Sequence, residues 1–199
     1  IVGMLEIAKK SKNDPRQIDE CLKKISISCD NLMSLVQDVL DMNNLENGKI
    51  ELMDETINLP TFLTEELVNI ADRAEKEGLT YAFIPGDFPH PNITGSPKHI
   101  LQIFEHILDN AIKYNKPNGS IILSGREISG NEQMATYEFV VEDTGIGMAP
   151  EFAKNIFELF EQEHNEARTE YMGTGLGMSI VKRLVDQMNG VITVESEPG

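Results

Sequence analysis

The segment GTGLG, residues 173–177, has a glycine at every second position and runs directly into an amphipathic helical pattern. The N–H groups of a first helical turn have no partner inside the helix, so a glycine-rich turn that opens a helix can bind a phosphate. The residues before it are polar and lack strand character, which excludes the dinucleotide-binding fingerprint that follows a strand. By itself the segment leaves two interpretations open, a phosphate site or an ordinary turn.

A second candidate site begins at Asp143, where the strand pattern YEFVVED runs into DTGIGM. A carboxylate at the end of a buried strand requires a hydrogen-bond donor. The exocyclic amine of adenine is such a donor, whereas guanine presents a carbonyl oxygen at that position. Gly145 and Gly147 have no Cβ and would let the backbone pass close to a flat ring. The alternative is that Asp143 caps a turn or a helix.

A third group lies on the predicted helix FEHILDNAIKY. Its polar residues are three and four positions apart and therefore share one side: His106, Asp109, Asn110 and Lys113. The amide oxygen of Asn110 is a ligand type that Mg²⁺ prefers, the Lys113 ammonium could reach a phosphate, and the Tyr114 ring could lie against a base. In the structural alternative, Asn110 is hydrogen-bonded in the core and Lys113 is a surface lysine.

The elements that must position these groups mix helices and strands. Helical patterns are centred on segments 60–77, 96–115, 150–160 and 177–188, and strand patterns on 49–53, 79–84, 119–128, 135–143 and 191–196. The two central strands are joined by a hairpin-like turn. This order predicts an α+β sandwich with one mixed sheet covered on one side by helices.

Residues 1–46 have helical periodicity, broken by a turn at Asn13, Asp14 and Pro15. In the second helix, apolar positions alternate in steps of four and three: Ile18, Leu22, Ile25, Cys29, Leu32, Val36 and Val39. This is a heptad seam, on a helix about 40 Å long at ~1.5 Å per residue. The pattern predicts an antiparallel helical hairpin that pairs with a second copy in a four-helix bundle. The alternative is a helix that lies on its own globular domain.

The composition limits the partners and the compartment. Seventeen basic and 33 acidic residues give a net charge of −16, which argues against binding nucleic acid or an anionic membrane surface. Cys21 and Cys29 are eight apart on one predicted helix, so we expect free, buried thiols in a reducing cytoplasm. No apolar run approaches the ~18 residues that span a bilayer. Because the chain begins at Ile1, we expect a fragment of a longer protein.

Four segments, FEHILDNAIKY, VVEDTGIGM, IFELFEQ and GTGLGMSIVKRLV, resemble in this order the N, G1, F and G2 motifs of sensor histidine kinases. The ATPase superfamily of these kinases also includes gyrase, MutL and a heat-shock chaperone. The resemblance implies a two-layer α/β sandwich preceded by the dimerising hairpin. Residues 1–46 would be the dimerisation region, and 47–199 the ATP-binding catalytic domain, each incomplete at its outer end.

The resemblance also implies roles for single residues. Asp143 would accept the adenine amine, Gly145 and Gly147 would shape the wall, and Tyr114 would flank adenine. Asn110 would bind Mg²⁺ and Lys113 would approach the phosphates of ATP. The polyphosphate would lie against the backbone of Gly173, Thr174, Gly175, Leu176 and Gly177. Residues 162–172 would form a lid that begins at Phe157 and Phe160, with Gln162 and Arg168 as candidate γ-phosphate contacts.

The chain departs from the family pattern in two ways that concern the reaction. His106 stands where family members usually carry Asn or Glu, and it could still orient a water or the metal shell. The implied reaction is transfer of the γ-phosphoryl group of ATP to a histidine, then to an aspartate of a response-regulator receiver domain. The chain has four histidines, and all of them lie in the predicted ATP domain: His90, His99, His106 and His164. The phosphoacceptor histidine is therefore expected upstream of Ile1. The rivals are an ATP-driven conformational clamp and a non-catalytic dimeric signalling scaffold, of which His106 favours the second.

Overall fold

A computed structural model of the chain describes residues 1–11, 14–46, 53, 55–161 and 175–199. The chain divides into two compact units, Ile1–Gly48 and Lys49–Gly199. The first unit contains helices α1 (Val2–Lys10) and α2 (Pro15–Glu46), which pack against each other. Asp14 caps α2, because its Oδ1 accepts hydrogen bonds from the N–H groups of Arg16 at 3.1 Å and Gln17 at 3.2 Å.

Most of the predicted heptad seam on α2 is exposed to solvent in the single chain. Its exposed members are Leu22, Cys29, Leu32, Val36 and Val39, whereas Ile18 and Ile25 are partly buried. The expectation of two buried thiols is therefore wrong for Cys29, and Cys21 is buried. The hairpin leaves a long apolar stripe of α2 uncovered.

The second unit mixes helices and strands along the chain. The elements are β1 (Glu55–Asn58), α3 (Leu59–Glu66), α4 (Val68–Lys76), β2 (Thr80–Pro85), β3 (Asn92–Gly95), α5 (Pro97–Lys113), β4 (Ser120–Gly130), β5 (Ala135–Asp143), α6 (Pro150–Ala153) and α7 (Gly177–Gln187). The predicted strand over 49–53 lies outside the described residues, apart from Met53, which is in no strand.

A three-stranded mixed sheet in the order β2-β4-β5 carries the core, with β2 parallel and β5 antiparallel to β4. The hairpin between β4 and β5 is confirmed. Ile121 and Leu123 of β4 are fully buried on the inner face. The register places Tyr81 and Phe83 of β2 beside them. Helices α4 and α5 pack against this sheet, and Leu63 of α3 and Leu108 of α5 are fully buried in the unit.

The prediction of one sheet is wrong in the described part of the chain, where β1 and β3 form a separate antiparallel pair. The strand β2 ends at Pro85, and Pro89 and Pro91 follow in the next six residues. Proline has no N–H group and cannot donate to a sheet ladder. The chain therefore leaves the main sheet, and β3 pairs with β1, bringing Ile57 opposite Ile93.

Two predicted helices are shorter in the structure. The helix over 60–77 is divided at Leu67, which is buried and has a non-helical ψ of 7°. The helix over 150–160 ends after one turn at Ala153, and Phe160 has a φ of +63°. That left-handed backbone is held by the hydrogen bond from the Phe160 N–H to the Gly175 carbonyl oxygen, at 3.0 Å.

The predicted strand over 191–196 is wrong, because these residues belong to no sheet. They alternate between exposed and partly buried as a strand would. The segment is instead tied to the loop after β5 at its end: the Met148 N–H donates to Ser196 Oγ at 3.0 Å, and the Gly199 N–H donates to the Ile146 carbonyl oxygen at 3.0 Å.

Candidate nucleotide-binding site

Helix α5 carries the first group of candidate residues. Its buried face holds Phe104, Leu108 and Ala111 against the sheet core. The candidates His106, Asn110 and Lys113 lie beside that face and are partly buried. This is the arrangement that the spacing of three and four predicts.

Asp109 does not join these candidates. Its Oδ1 lies 2.6 Å from an Nη1 of Arg73 on α4, and both side chains are about half exposed. The ion pair links α4 to α5, and it turns the Asp109 carboxylate towards the neighbouring helix. Asp109 is therefore a structural residue here.

Lys113 and Tyr114 contact each other at the end of α5. The Lys113 Nζ lies 4.9 Å from the centroid of the Tyr114 ring, which is a cation–π distance. The lysine that was predicted to approach phosphates therefore rests on the ring that was predicted to flank adenine. Both side chains lie at the same place on the surface of the domain.

The second candidate motif meets α5 through Tyr114. The Ile146 N–H donates to the Tyr114 carbonyl oxygen at 3.0 Å. A Cβ on Gly145 would lie 2.6 Å from that same oxygen, so only glycine fits there. Gly147 has a φ of +64°, and a Cβ on it would overlap the Glu197 carbonyl oxygen. Both glycines are thus required by close contacts within the protein.

Asp143 lies at the end of β5, opposite Ile121, whose side chain is fully buried under the helices. Residues directly opposite in a ladder share a face, so the Asp143 side chain is on the helix-covered face. It is exposed, and its Oδ1 accepts a hydrogen bond from the Gly145 N–H at 2.8 Å. The expectation of a buried strand end is therefore wrong, and the turn-capping role is present at Oδ1.

The third motif reaches α5 at the start of α7. Gly175 has a φ of +71°, Leu176 is buried, and Gly177 begins α7. Leu176 is the N-cap of α7, and its side chain makes no capping hydrogen bond. Helices α5 and α7 pack together, and the His106 ring lies against Gly177. Gly173, Thr174, Gln162 and Arg168 lie outside the described residues.

Phe157 and Phe160, which the resemblance implies as anchors at the start of the lid, precede residues 162–172, which lie outside the described residues. Phe157 is partly buried, whereas Phe160 is 69% exposed. Phe160 is held through its backbone, by the hydrogen bond to the Gly175 carbonyl oxygen.

A polar network that was not predicted fixes the turn between α5 and β4. The Asn115 Nδ2 donates to the carbonyl oxygens of Ala111 at 3.1 Å and Ser120 at 3.2 Å. The Thr144 hydroxyl donates to Asn115 Oδ1 at 3.1 Å and accepts from the Ser120 N–H at 2.8 Å. Thr144 directly follows Asp143, so this network holds the second motif at the end of α5. The sequence contained a signal for this network, because the polar residue Asn115 directly follows the motif of α5 and Thr144 is the second residue of DTG.

The sequence profile of the family described as "Histidine kinase-, DNA gyrase B-, and HSP90-like ATPase" matches residues 95–199, which is more than half of the chain. The chain belongs to this ATPase family. The matched range contains all three motifs that meet around α5.

Within this ATPase family, the relatives are sensor kinases. The sensor protein GacS of Pseudomonas syringae pv. syringae is 34% identical over 200 residues, which cover 100% of this chain and 22% of that protein. The signal transduction histidine-protein kinase BarA of Escherichia coli K12 is 31% identical, over 100% of this chain and 21% of that protein. The chain thus spans about a fifth of the length of these relatives. The resemblance to sensor histidine kinases is confirmed.

Solved structures agree on the fold of the ATPase domain. The Acinetobacter baumannii histidine kinase AdeS is 21% identical with a TM-score of 0.70, covering 98% of this chain and 86% of that chain. Full-length ShkA, solved in complex with AMPPNP, is 30% identical with a TM-score of 0.74, covering 99% of this chain and 39% of that chain. The α+β fold of the histidine kinase ATPases is therefore confirmed.

The oxygen ligand of the ATPase domain fits a hard cation whose other ligands are supplied by water molecules and phosphate groups. Asn110 offers one amide oxygen on α5. Among the described residues, no three His, Cys, Asp or Glu side chains cluster as metal ligands would. Mg²⁺ in nucleotide sites is held by one or two protein oxygens together with phosphates and waters.

Among the residues that the structure describes, no helix is both long and apolar enough to cross a bilayer.

Proposed function

We propose that this chain is the kinase core of a sensor histidine kinase, which binds Mg-ATP and dimerises through its helical hairpin. One observation supports the nucleotide site above the others. The C-terminal end of α5 contacts the Asp143 loop through Tyr114, and the middle of α5 contacts the start of α7 through His106. Two motifs from distant parts of the sequence thus meet the helix that carries the first motif.

The base of ATP would be recognised at Asp143. One carboxylate oxygen, Oδ1, is used in the turn with Gly145, and Oδ2 would accept the exocyclic amine of adenine. Guanine would be rejected because its carbonyl oxygen would face that carboxylate. The Tyr114 ring would flank the base, and Gly145 and Gly147 would form the wall of the site.

The phosphates would lie between Asn110 on α5 and the start of α7. The amide oxygen of Asn110 would hold Mg²⁺, which neutralises phosphate charge when it is bound. Lys113 would leave the Tyr114 ring and approach the phosphates. Backbone N–H groups of the glycine segment would donate to the polyphosphate, as amides at the start of a helix can. The residues involved would be Gly173, Thr174, Gly175, Leu176 and Gly177.

The phosphoryl acceptor would be a histidine that precedes Ile1 in the longer protein. The bond between the γ-phosphorus and its bridging oxygen would break, ADP would leave, and a nitrogen–phosphorus bond would form on the imidazole. A receiver-domain aspartate of a response regulator would then accept the phosphoryl group. We also propose a cytoplasmic location for this part of the protein, with no nucleic acid and no membrane contact.

A second candidate function is a non-catalytic dimeric signalling scaffold with a nucleotide-binding fold. The observation in its favour is His106, which lies at the phosphate side of α5 in place of the Asn or Glu that the family pattern leads us to expect. The scaffold would dimerise normally but would bind ATP weakly or not at all. Nucleotide binding by the isolated chain therefore separates the two functions.

Calorimetric titration with ATP and GTP, each with and without Mg²⁺, tests the adenine site. We expect ATP to bind, GTP to bind much more weakly, and Asp143→Asn to weaken ATP binding by at least about tenfold. Asparagine keeps an oxygen for the Gly145 N–H but offers an amine where adenine also has one. Glu142→Gln is the matched control, because Glu142 lies next in the strand on the opposite face. No ATP binding by a folded, dimeric chain would reject the kinase proposal in favour of the scaffold.

A further inference from the structure

The His106 imidazole lies so close to Gly177 that a side chain at position 177 would require the ring to move by a few tenths of an ångström. A Cβ built on Gly177 would lie 3.0 Å from His106 Nδ1, 3.6 Å from Cγ and 3.7 Å from Cε1. His106 is partly buried on α5, and Gly177 is the first residue of α7. The ring of a residue in the middle of α5 therefore lies against the first turn of α7.

The backbone does not require glycine at position 177. Gly147 and Gly175 have positive φ angles of +64° and +71°, where other residues are strained. Gly177 has no such angle and lies in an ordinary helical first turn. The ring of His106 is thus the feature that disfavours a larger residue there, since close packing leaves little space for an added methyl group.

We infer that His106 is a positioning residue that sets the separation between α5 and the start of α7. This inference rests on the proposed function, because α5 and α7 would hold Mg-ATP between Asn110 and the backbone amides of α7. Asn110 is one helical turn from His106, so a change in the separation of α5 and α7 at the ring changes the width of the phosphate site beside it. The glycine at 177 and the histidine at 106 act as one pair, although they are far apart in the sequence.

A double-mutant cycle with Gly177→Ala and His106→Ala tests the pair. We expect Gly177→Ala alone to weaken Mg-ATP binding by about tenfold, because the new methyl group displaces the ring and the helix. In the His106→Ala background the same change should cost about twofold or less, since the space is then open. Equal losses in both backgrounds would overturn the inference.

Gly175→Ala is the matched control, two residues away in the same motif. Its methyl group would lie 2.9 Å from the Phe160 backbone, and its φ is positive, so His106→Ala should not relieve its effect. Relief of Gly175→Ala by His106→Ala would show a general loosening of the site and would also overturn the inference.

Adenosine distinguishes positioning of the phosphate site from a general structural role. The loss in Gly177→Ala should be larger for Mg-ATP than for adenosine, because adenosine has no phosphate to bind at α7. Equal losses for the two ligands would contradict a positioning role. Thermal unfolding of the nucleotide-free variants measures the coupling between the two changes as a difference in stability. If the natural chain binds no nucleotide, the proposed function fails, while the coupling of the two changes in unfolding still decides whether ring and glycine form a pair.

Discussion

Two tyrosines on the inner face of the main sheet have opposite hydroxyl environments. The Tyr81 hydroxyl of β2 is buried and has no hydrogen-bond partner among the described residues. Its burial raises the pKa of Tyr81 to about 12, because the charged phenolate would lose its hydration. The Tyr137 hydroxyl of β5 instead donates a hydrogen bond to the His90 carbonyl oxygen.

These environments predict opposite effects for the same chemical change. Removing the Tyr81 hydroxyl by Tyr81→Phe should leave the free energy of unfolding unchanged or raise it by up to about 1 kcal/mol, because a buried, unbonded hydroxyl is unfavourable. Tyr137→Phe should lower it by about 0.5–1.5 kcal/mol. Denaturant unfolding of both variants at pH 7 measures the difference. A loss of stability in Tyr81→Phe as large as in Tyr137→Phe would contradict this account.

At the scale of elements, a single carboxylate holds the connection between β2 and β3. Glu127 of β4 accepts hydrogen bonds from the His90 backbone N–H and pairs with the His90 Nδ1, both at 2.8 Å. Its side chain is 4% exposed. The bonds from His90 lower the pKa of Glu127, against the opposing effect of burial. Because Tyr137 also bonds to His90, this cluster fixes the loop that leads from β2 into β3.

The lowered pKa predicts how stability depends on pH. A carboxyl whose pKa is lower in the folded state stabilises the fold above its unfolded pKa, and this contribution is lost as pH falls through the folded value. Glu127→Gln should therefore be less stable than the natural chain near pH 6. The difference should shrink as pH falls below the ordinary glutamate pKa of about 4.3. Unfolding measured from pH 6 to 3 provides the comparison.

Glu138→Gln is the control for that experiment. Glu138 pairs with Arg126 on the exposed outer face of the same two strands. Exposed ion pairs contribute little to stability, so this variant should follow the natural chain at every pH. A difference for Glu127→Gln that stays constant with pH would show that packing, and not the charge of Glu127, stabilises the loop.

At the scale of the whole molecule, the exposed stripe on α2 is the feature that a single chain does not explain. Leu22 and Leu32 are 55% and 54% exposed, and Val36 and Val39 are 45% and 47% exposed. Apolar residues repeated at heptad spacing are expected to pack against another helix. The proposed homodimer would cover them.

Leu32→Asp tests the homodimer. Each copy would lose at least about 1.5 kcal/mol of apolar burial, so the dimer dissociation constant should rise roughly a hundredfold or more. Ser34→Asp adds the same charge at an exposed position of α2 that is three or four residues from none of the seam positions, and it should leave the dimer intact. Light scattering across a concentration series gives the oligomeric state. A monomeric natural chain, or loss of the dimer in Ser34→Asp as well, would reject the seam as the interface.

The thiols provide an independent readout of the same prediction. Cys29 lies in the exposed stripe and Cys21 is buried in the single chain. Maleimide labelling of Cys29 should therefore slow as the protein concentration rises and dimers form, while Cys21 serves as the slow internal reference. Labelling of Cys29 that does not depend on concentration would contradict its burial in a dimer.

Short-range sequence patterns predicted many of the helices and strands of this structure. The spacing of His106, Asn110 and Lys113 predicted that they share one side of a helix, because the period of a helix depends only on neighbouring residues. The strands before Asp143 and the turn between β4 and β5 followed from alternation and turn residues for the same reason. The heptad stripe on α2 was also present in the sequence, although its partner was not.

Contacts between distant elements were decided only by tertiary structure. Spacing put Asp109 with the site residues, but Arg73 of α4 binds it. The prediction for 191–196 had the right alternation, yet a strand also needs a ladder partner, which no local pattern supplies. Likewise, no local pattern showed what lies beside Gly145 and Gly177. The missing Cβ of Gly145 faces the Tyr114 carbonyl oxygen and that of Gly177 faces the His106 ring, because packing is decided by which surfaces the whole fold brings together.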